Sequence, residues 1–132
     1  MKIAIPKERR AHERRVAVSP DTVKKYVGLG FDVIVATGAG EGSSVPDDEF
    51  VAAGATIAGD EAAALSDADI VLKVQRPICA NEDGPDEIAL MKKGAILIGH
   101  LGALQHHDQI AAYEAAGITA FAMELVPRIT RA

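Results

Sequence analysis

Three residues in this chain have side chains and positions that could do chemistry together. Lys73 interrupts the apolar run Ile70-Val71-Leu72-Lys73-Val74, His100 stands in Ile98-Gly99-His100-Leu101-Gly102, and Arg15 precedes Val16-Ala17-Val18. Lysine is almost never fully buried unless paired, so Lys73 either sits at a strand's mouth or has a task. Lys73 lies near the carboxyl end of one strand pattern and His100 just beyond another. Arg15 opens a strand-like segment after the loop that follows the first strand. In open α/β sheets, ligands bind in the crevice outside the carboxyl ends of the strands. A guanidinium, an ammonium and an imidazole gathered there suit a carboxylate or keto acid. Arg15 would clamp the carboxylate in bidentate fashion, Lys73 would hold a carbonyl oxygen, and His100 would serve as acid or base. Composition supplies neither a nucleophile nor a redox centre.

Other motifs carry less. Gly38-Ala39-Gly40-Glu41-Gly42 follows a strand pattern and precedes a helical one, the setting of a dinucleotide fingerprint. Such a fingerprint needs a third glycine where Ser43 stands, and an acid about 20 residues later at a strand end. Neither is present, so the turn reads as a flexible connection. His106-His107-Asp108 reads as a solvated helix start, because neighbours on a helix point about 100° apart and cannot easily share one ion. Cys79 has no basic neighbour beside it in sequence and reads as incidental.

The elements that must position these residues alternate regularly. Strand patterns fall at Lys2 to Ile5, Val16 to Val18, Phe31 to Ala36, Thr56 to Ala58, Asp69 to Val74, Ala95 to Ile98 and Ile118 to Ala122. Helical patterns lie between them: Ser19 to Gly28, Ser44 to Ala53, Glu61 to Leu65, Pro85 to Lys93 and Gln109 to Ala116. Ser19-Pro20-Asp21 is a strong helix start, with a capping serine, a proline at the first position and an acid in the first turn. Alternation of this kind predicts an α/β fold, a Rossmann-like open, mostly parallel sheet with helices on both faces. Apolar residues make up 48% of the 132 positions and aromatics only 4%, a diet of Ala, Val, Ile and Leu that suits buried parallel strands.

The net charge of −5 argues against nucleic acid as a partner, since phosphate binding needs a basic face. The one basic cluster, from Lys7 to Arg15, is diluted by Glu8 and Glu13. A single cysteine predicts no internal disulfide and a reducing compartment. The opening strand pattern predicts no leader, and no apolar run reaches the ~18 residues of a membrane span; a cytoplasmic location is expected. The ending, Met123 to Ala132, reads as a loop beginning something, so the chain is expected to be an incomplete first segment.

The segments Met1-Lys-Ile-Ala-Ile-Pro-Lys-Glu and Glu13-Arg14-Arg15-Val16-Ala17-Val18-Ser19-Pro20 resemble the opening of the alanine dehydrogenase and pyridine nucleotide transhydrogenase family. The resemblance continues through Gly38 to Gly42, Leu72-Lys73-Val74 with Pro77, and Gly99-His100-Leu101-Gly102. In the dehydrogenase branch, the residues matching Arg15, Lys73 and His100 hold pyruvate or alanine. In the transhydrogenase branch, the fold forms the NAD(H)-binding alpha subunit, which passes hydride to NADP(H) on a partner domain.

The stretches Lys73 to Pro77, His100 to Leu104 and Met123 to Ala132 resemble the transhydrogenase version, and Arg128 matches an arginine of a loop that contacts NAD(H). The resemblance therefore implies residues 1–132 as the opening portion of a domain whose NAD-binding Rossmann unit follows. It also implies a homodimer peripheral to the inner membrane, joined to membrane and NADP-binding subunits and coupled to proton translocation. Arg15, Lys73 and His100 would then be inherited positions. An alanine dehydrogenase or related amino-acid dehydrogenase, and an inactive interaction or dimerisation module, are the competing expectations.

Overall fold

A computed structural model describes residues 1–127. Six strands form one sheet: β1 (Lys2–Ile5), β2 (Asp32–Ala36), β3 (Thr56–Ala58), β4 (Ile70–Gln75), β5 (Ile96–His100) and β6 (Thr119–Ala122). Their order is β3-β2-β1-β4-β5-β6, and every pairing is parallel. The sheet grows outward in both directions from β1 and β4. The crevice at that reversal is where α/β sheets bind ligands.

Five helices connect the strands: α1 (Pro20–Gly28), α2 (Asp47–Ala52), α3 (Glu61–Leu65), α4 (Glu87–Leu90) and α5 (His107–Ala115). The expected cap of α1 is present, with Ser19 Oγ accepting from the Thr22 N–H and proline opening the helix. Side chains alternate across each strand and divide the core into two faces. Ile3, Ile5, Val33 and Val35 meet Val23 of α1 and Phe50 of α2 on one face. Ala4, Val71 and Leu97 meet Leu65, Ile88, Met91 and Tyr113 on the other. Helices thus lie on both faces. On the α1/α2 face the cover thins toward β5 and β6, where Ile98 is half-buried and Phe121 is 54% exposed.

Three sequence expectations are corrected. Val16 to Val18 is not a strand; Val18 is buried and Val16 packs beside it against the α1/α2 core, so Arg15 sits on a long loop. The helix expected over Ser44 to Ala53 starts only at Asp47. Ser44 is left-handed (φ 60°) and caps a 3-10 turn, Glu41–Ser43, while Asp47 reaches back to the Thr37 hydroxyl and the Gly38 N–H. The helix expected over Pro85 to Lys93 is only Glu87–Leu90, because Met91 is extended (ψ 143°). Lys92 then turns to Asp69, with Nζ 2.7 Å from Oδ1, instead of capping a helix end.

Candidate functional site

The crevice is built from three loops and two strand ends. The long loop after β1 brings Arg15, Val16 and Ala17. The ends of β4 and β5 bring Leu72, Val74, Ile98 and His100, and the turn after β6 brings Met123. Together with Tyr26 and Ser43 they line a cavity of about 490 Å³. Two glycines shape it by close approach. A Cβ on Gly99 would lie 2.7 Å from the Lys73 carbonyl oxygen on the neighbouring strand, and one on Gly42 would lie 2.6 Å from the Arg14 carbonyl. At Gly42, the end of the glycine turn after β2, the chain's own Arg14 loop thus lies where a side chain would be.

Arg15 and His100 share this cavity, as their positions in sequence suggest. Lys73 lines it only with main chain: the whole residue is 5% exposed and its side chain 1%. Strand alternation turns its ammonium to the opposite face, under the sheet. There Nζ lies 3.1 Å from both oxygens of Glu87 and 3.7 Å from Glu8 Oε1. Lys73 is thus not at a strand mouth but is a buried, paired lysine. Arg128 lies outside the described residues.

The carboxylates around Lys73 also hold main chain. Glu87 Oε1 accepts from the Ile78 N–H at 2.8 Å, and Glu8 accepts from the N–H groups of Val74 and Gln75, each at 3.0 Å. Pairing between β4 and β5 shifts register between Leu72 and Gln75, and Glu8 takes up two N–H groups at that irregularity. Burial pushes the Glu8 carboxyl upward, opposed by Lys73 and the two N–H donors.

On the cavity side, Glu13 accepts from the Arg15 guanidinium at 2.8 and 2.9 Å and from Gln75 Nε2 at 3.0 Å. The bond from Arg15 is the main cause of a Glu13 carboxyl held down to about 2. Arg15 remains 67% exposed at its side chain. His100 is exposed at the end of β5. The neighbouring Glu124 accepts from the Leu101 and Ala103 N–H groups and so secures the turn that follows it.

A clasp behind the site is invisible in the sequence. Arg10 donates to the carbonyls of Arg76 and Pro77 at 2.9 and 2.8 Å. Glu82 pairs with Arg10 at 2.7 Å and Arg76 at 2.6 Å, and Gln109 of α5 bridges Arg76 and the Pro77 carbonyl. Burial would raise the Glu82 carboxyl, but the two arginines outweigh it and hold it at about 2. Cys79 donates to Glu82; burial and that carboxylate push the thiol up, away from a nucleophile's range. His107 and Asp108 are exposed at the start of α5, and among the described residues no three His, Cys, Asp or Glu side chains gather as a metal site.

Sequence reasoning places Arg15 and His100 but misses Glu8, Glu87, Gln75 and Glu82. One signal was available: a lysine inside an apolar strand demands a buried carboxylate. Glu8, which in sequence only dilutes a basic cluster, is one of the two that answer it.

Residues 4–132 match the family described as "Alanine dehydrogenase/PNT, N-terminal domain". Over all 132 residues the chain is 62% identical to an NAD(P) transhydrogenase alpha-subunit polypeptide of Rhodospirillum rubrum, covering 34% of that protein. It is 37% identical over 126 residues to the alanine dehydrogenase of Halomonas elongata, covering 32% of it. A solved transhydrogenase from Sinorhizobium meliloti superposes with a TM-score of 0.89 at 44% identity, over 98% of this chain and 37% of that one. The chain therefore spans about a third of the length of these relatives. The matching opening segments, the all-parallel sheet and these likenesses agree: the chain belongs to the alanine dehydrogenase/PNT N-terminal domain family.

Proposed function

We propose that this chain is the N-terminal portion of the NAD(H)-binding alpha subunit of a proton-translocating NAD(P) transhydrogenase. In this reading the subunit takes part in hydride transfer between NAD(H) and NADP(H). The observation that carries the reading is the 62% identity across the whole chain to a transhydrogenase alpha subunit, against 37% to an alanine dehydrogenase. The site agrees with it. Of the three cationic or basic groups that would hold a small acid, Lys73 is turned under the sheet onto Glu87 and Glu8, and Arg15 is engaged by Glu13. A transhydrogenase has no organic acid to hold.

NAD(H) would supply the hydride. The cavity beside Arg15, Tyr26 and His100 has a volume in the range of small-molecule clefts. Its lining includes none of the glycines of the turn after β2, and at Gly42 the Arg14 main chain lies where a pyrophosphate would need to approach. Pyrophosphate binding falls to the portion of the relatives' length that this chain does not span, and Arg128 is proposed as a further contact to the cofactor. His100 would present a hydrogen-bonding group to the edge of the cofactor's ring, and Leu72, Ile98 and Met123 would exclude water from its face. NADP(H) would bind a partner domain. The assembled enzyme would include membrane subunits and a second copy of this subunit, with this portion on the cytoplasmic side; among the described residues no helix is long and apolar enough to cross a membrane.

Hydride exchange between NADH and an NADP⁺ analogue by the full-length protein with its partner subunits tests the reading. Measurable exchange supports it, and none in the fully assembled enzyme contradicts it. The second reading is alanine dehydrogenase, favoured by the shared cavity of Arg15 and His100. It requires NADH oxidation driven by pyruvate and ammonia, lost in Lys73→Ala.

A further inference from the structure

Under the sheet, the Lys73 cluster reaches further than its ion pairs. Glu61, the first residue of α3, and Glu87, the first of α4, belong to helices that pack on each other. Glu61 is 4% exposed, Glu87 0%, Glu8 7% and Lys73 5%. Glu8 and Glu87 thus face one buried ammonium. Glu61 is a third buried carboxylate on the helix packed beside Glu87, near enough that the Glu87 and Lys73 charges both act on it. Among the described residues, the one other cation paired with them is Arg9, at the rim with its side chain 38% exposed and Nη2 3.3 Å from Glu61 Oε1. Fully ionised, the cluster keeps a negative charge in excess in a buried setting, where an uncompensated charge is strongly unfavourable.

The three carboxylates are not held alike. Both Glu87 oxygens accept from Lys73, and one accepts also from the Ile78 N–H. Both Glu8 oxygens accept from main-chain N–H groups of β4. Glu61 has the Lys7 N–H and Arg9 on Oε1, while its Oε2 is buried with no hydrogen-bond partner. Ala36 of β2 and Ala58 of β3, which also pack against α3, bring it no polar group.

We propose that Glu8, Glu61, Glu87 and Lys73 form a buried binding site for one proton, seated on Glu61 at neutral pH. One proton cancels the excess charge, and it belongs on the carboxylate whose second oxygen has no donor, Glu61 Oε2. Burial is the main influence raising the Glu61 carboxyl, with the Glu87 charge next; the Lys7 N–H, Arg9 and Lys73 oppose it.

Infrared spectroscopy of the full-length protein at neutral pH tests this through the stretch of a protonated carboxyl. The difference between wild type and Glu61→Gln is expected to show the loss of one such band, while Glu8→Gln retains it. A flat difference spectrum overturns the proposal, and so does a band lost in Glu8→Gln but kept in Glu61→Gln. If Glu61→Gln does not fold, Glu61→Asp serves: the shorter acid is expected to move the band, and an unmoved band overturns the assignment.

Discussion

The two faces of β4 do opposite things with charge. Above the sheet, Arg15 and His100 stand at an open cleft, Arg15 with two-thirds of its side chain in water. Below it, Lys73 is buried against Glu8 and Glu87. A single step along a strand moves a side chain from one face to the other, and that step separates the residues that line the cleft from a buried, paired lysine. The same main chain serves both sides, since Glu8 binds the N–H groups of Val74, which lines the cleft, and of Gln75, whose side chain holds Glu13 and through it Arg15.

The comparison breaks most sharply at Lys73. Lys73→Ala leaves Glu87 and Glu8 buried without their counter-charge, and losing one partner of a buried pair costs about 3–5 kcal/mol. Urea unfolding is expected to show that loss, and a variant as stable as wild type would contradict the buried cluster. Gly99→Ala comes next. Its methyl would press on the Lys73 carbonyl, which is main chain and cannot swing aside, and overpacking of this kind costs about 1–3 kcal/mol.

The pH dependence of stability separates the charged groups by sign. Glu61 has a raised folded value, so its contribution is full below the unfolded value of about 4.3 and is lost as pH rises through the folded one. Glu61→Gln is expected to flatten that decline, whose slope is at most about 1.4 kcal/mol per pH unit. Glu82 has a depressed value, so its contribution is present above about 4.3 and is lost as pH falls toward about 2. Glu82→Gln is expected to remove part of the acid limb and leave the neutral-to-alkaline slope alone. Denaturation midpoints followed across pH check both signs.

The smallest stability effect belongs to the cleft. His100→Ala, at an exposed strand end, is expected to change stability by no more than about 0.5 kcal/mol while lowering hydride exchange in the assembled enzyme. A large loss of stability would place His100 in the fold's support instead.

Much of this is legible in the chain. Strand and helix alternation, the Ser19-Pro20 cap and the Val/Ile-rich runs each depend on neighbours a few residues away, and they are enough for the α/β sheet. Arg15 and His100 can be placed because the carboxyl ends of parallel strands share one edge. Lys73 cannot be oriented, because its face depends on β4 pairing and on Glu8 and Glu87, which lie 65 and 14 residues away in sequence by their numbers. The helix expected to end at Lys93 fails for a similar reason: Lys92 is claimed by Asp69 from another region of the fold. Arg10, Arg76, Glu82 and Gln109 have no shared local pattern to announce their clasp.

The claim that Lys73 supports the cleft without touching its ligand is tested most directly by neutralising the buried cluster together, Lys73→Met with Glu8→Gln and Glu87→Gln. Removing the cation with both of its partners leaves neither carboxylate buried without a counter-charge. The two amides keep an acceptor oxygen for the Ile78 N–H and for one of the Val74 and Gln75 N–H groups. In the full-length enzyme with its partners, the triple variant is predicted to fold and to keep hydride exchange between NADH and an NADP⁺ analogue near the wild-type rate. A folded triple variant that has lost exchange would contradict the claim and return Lys73 to the chemistry.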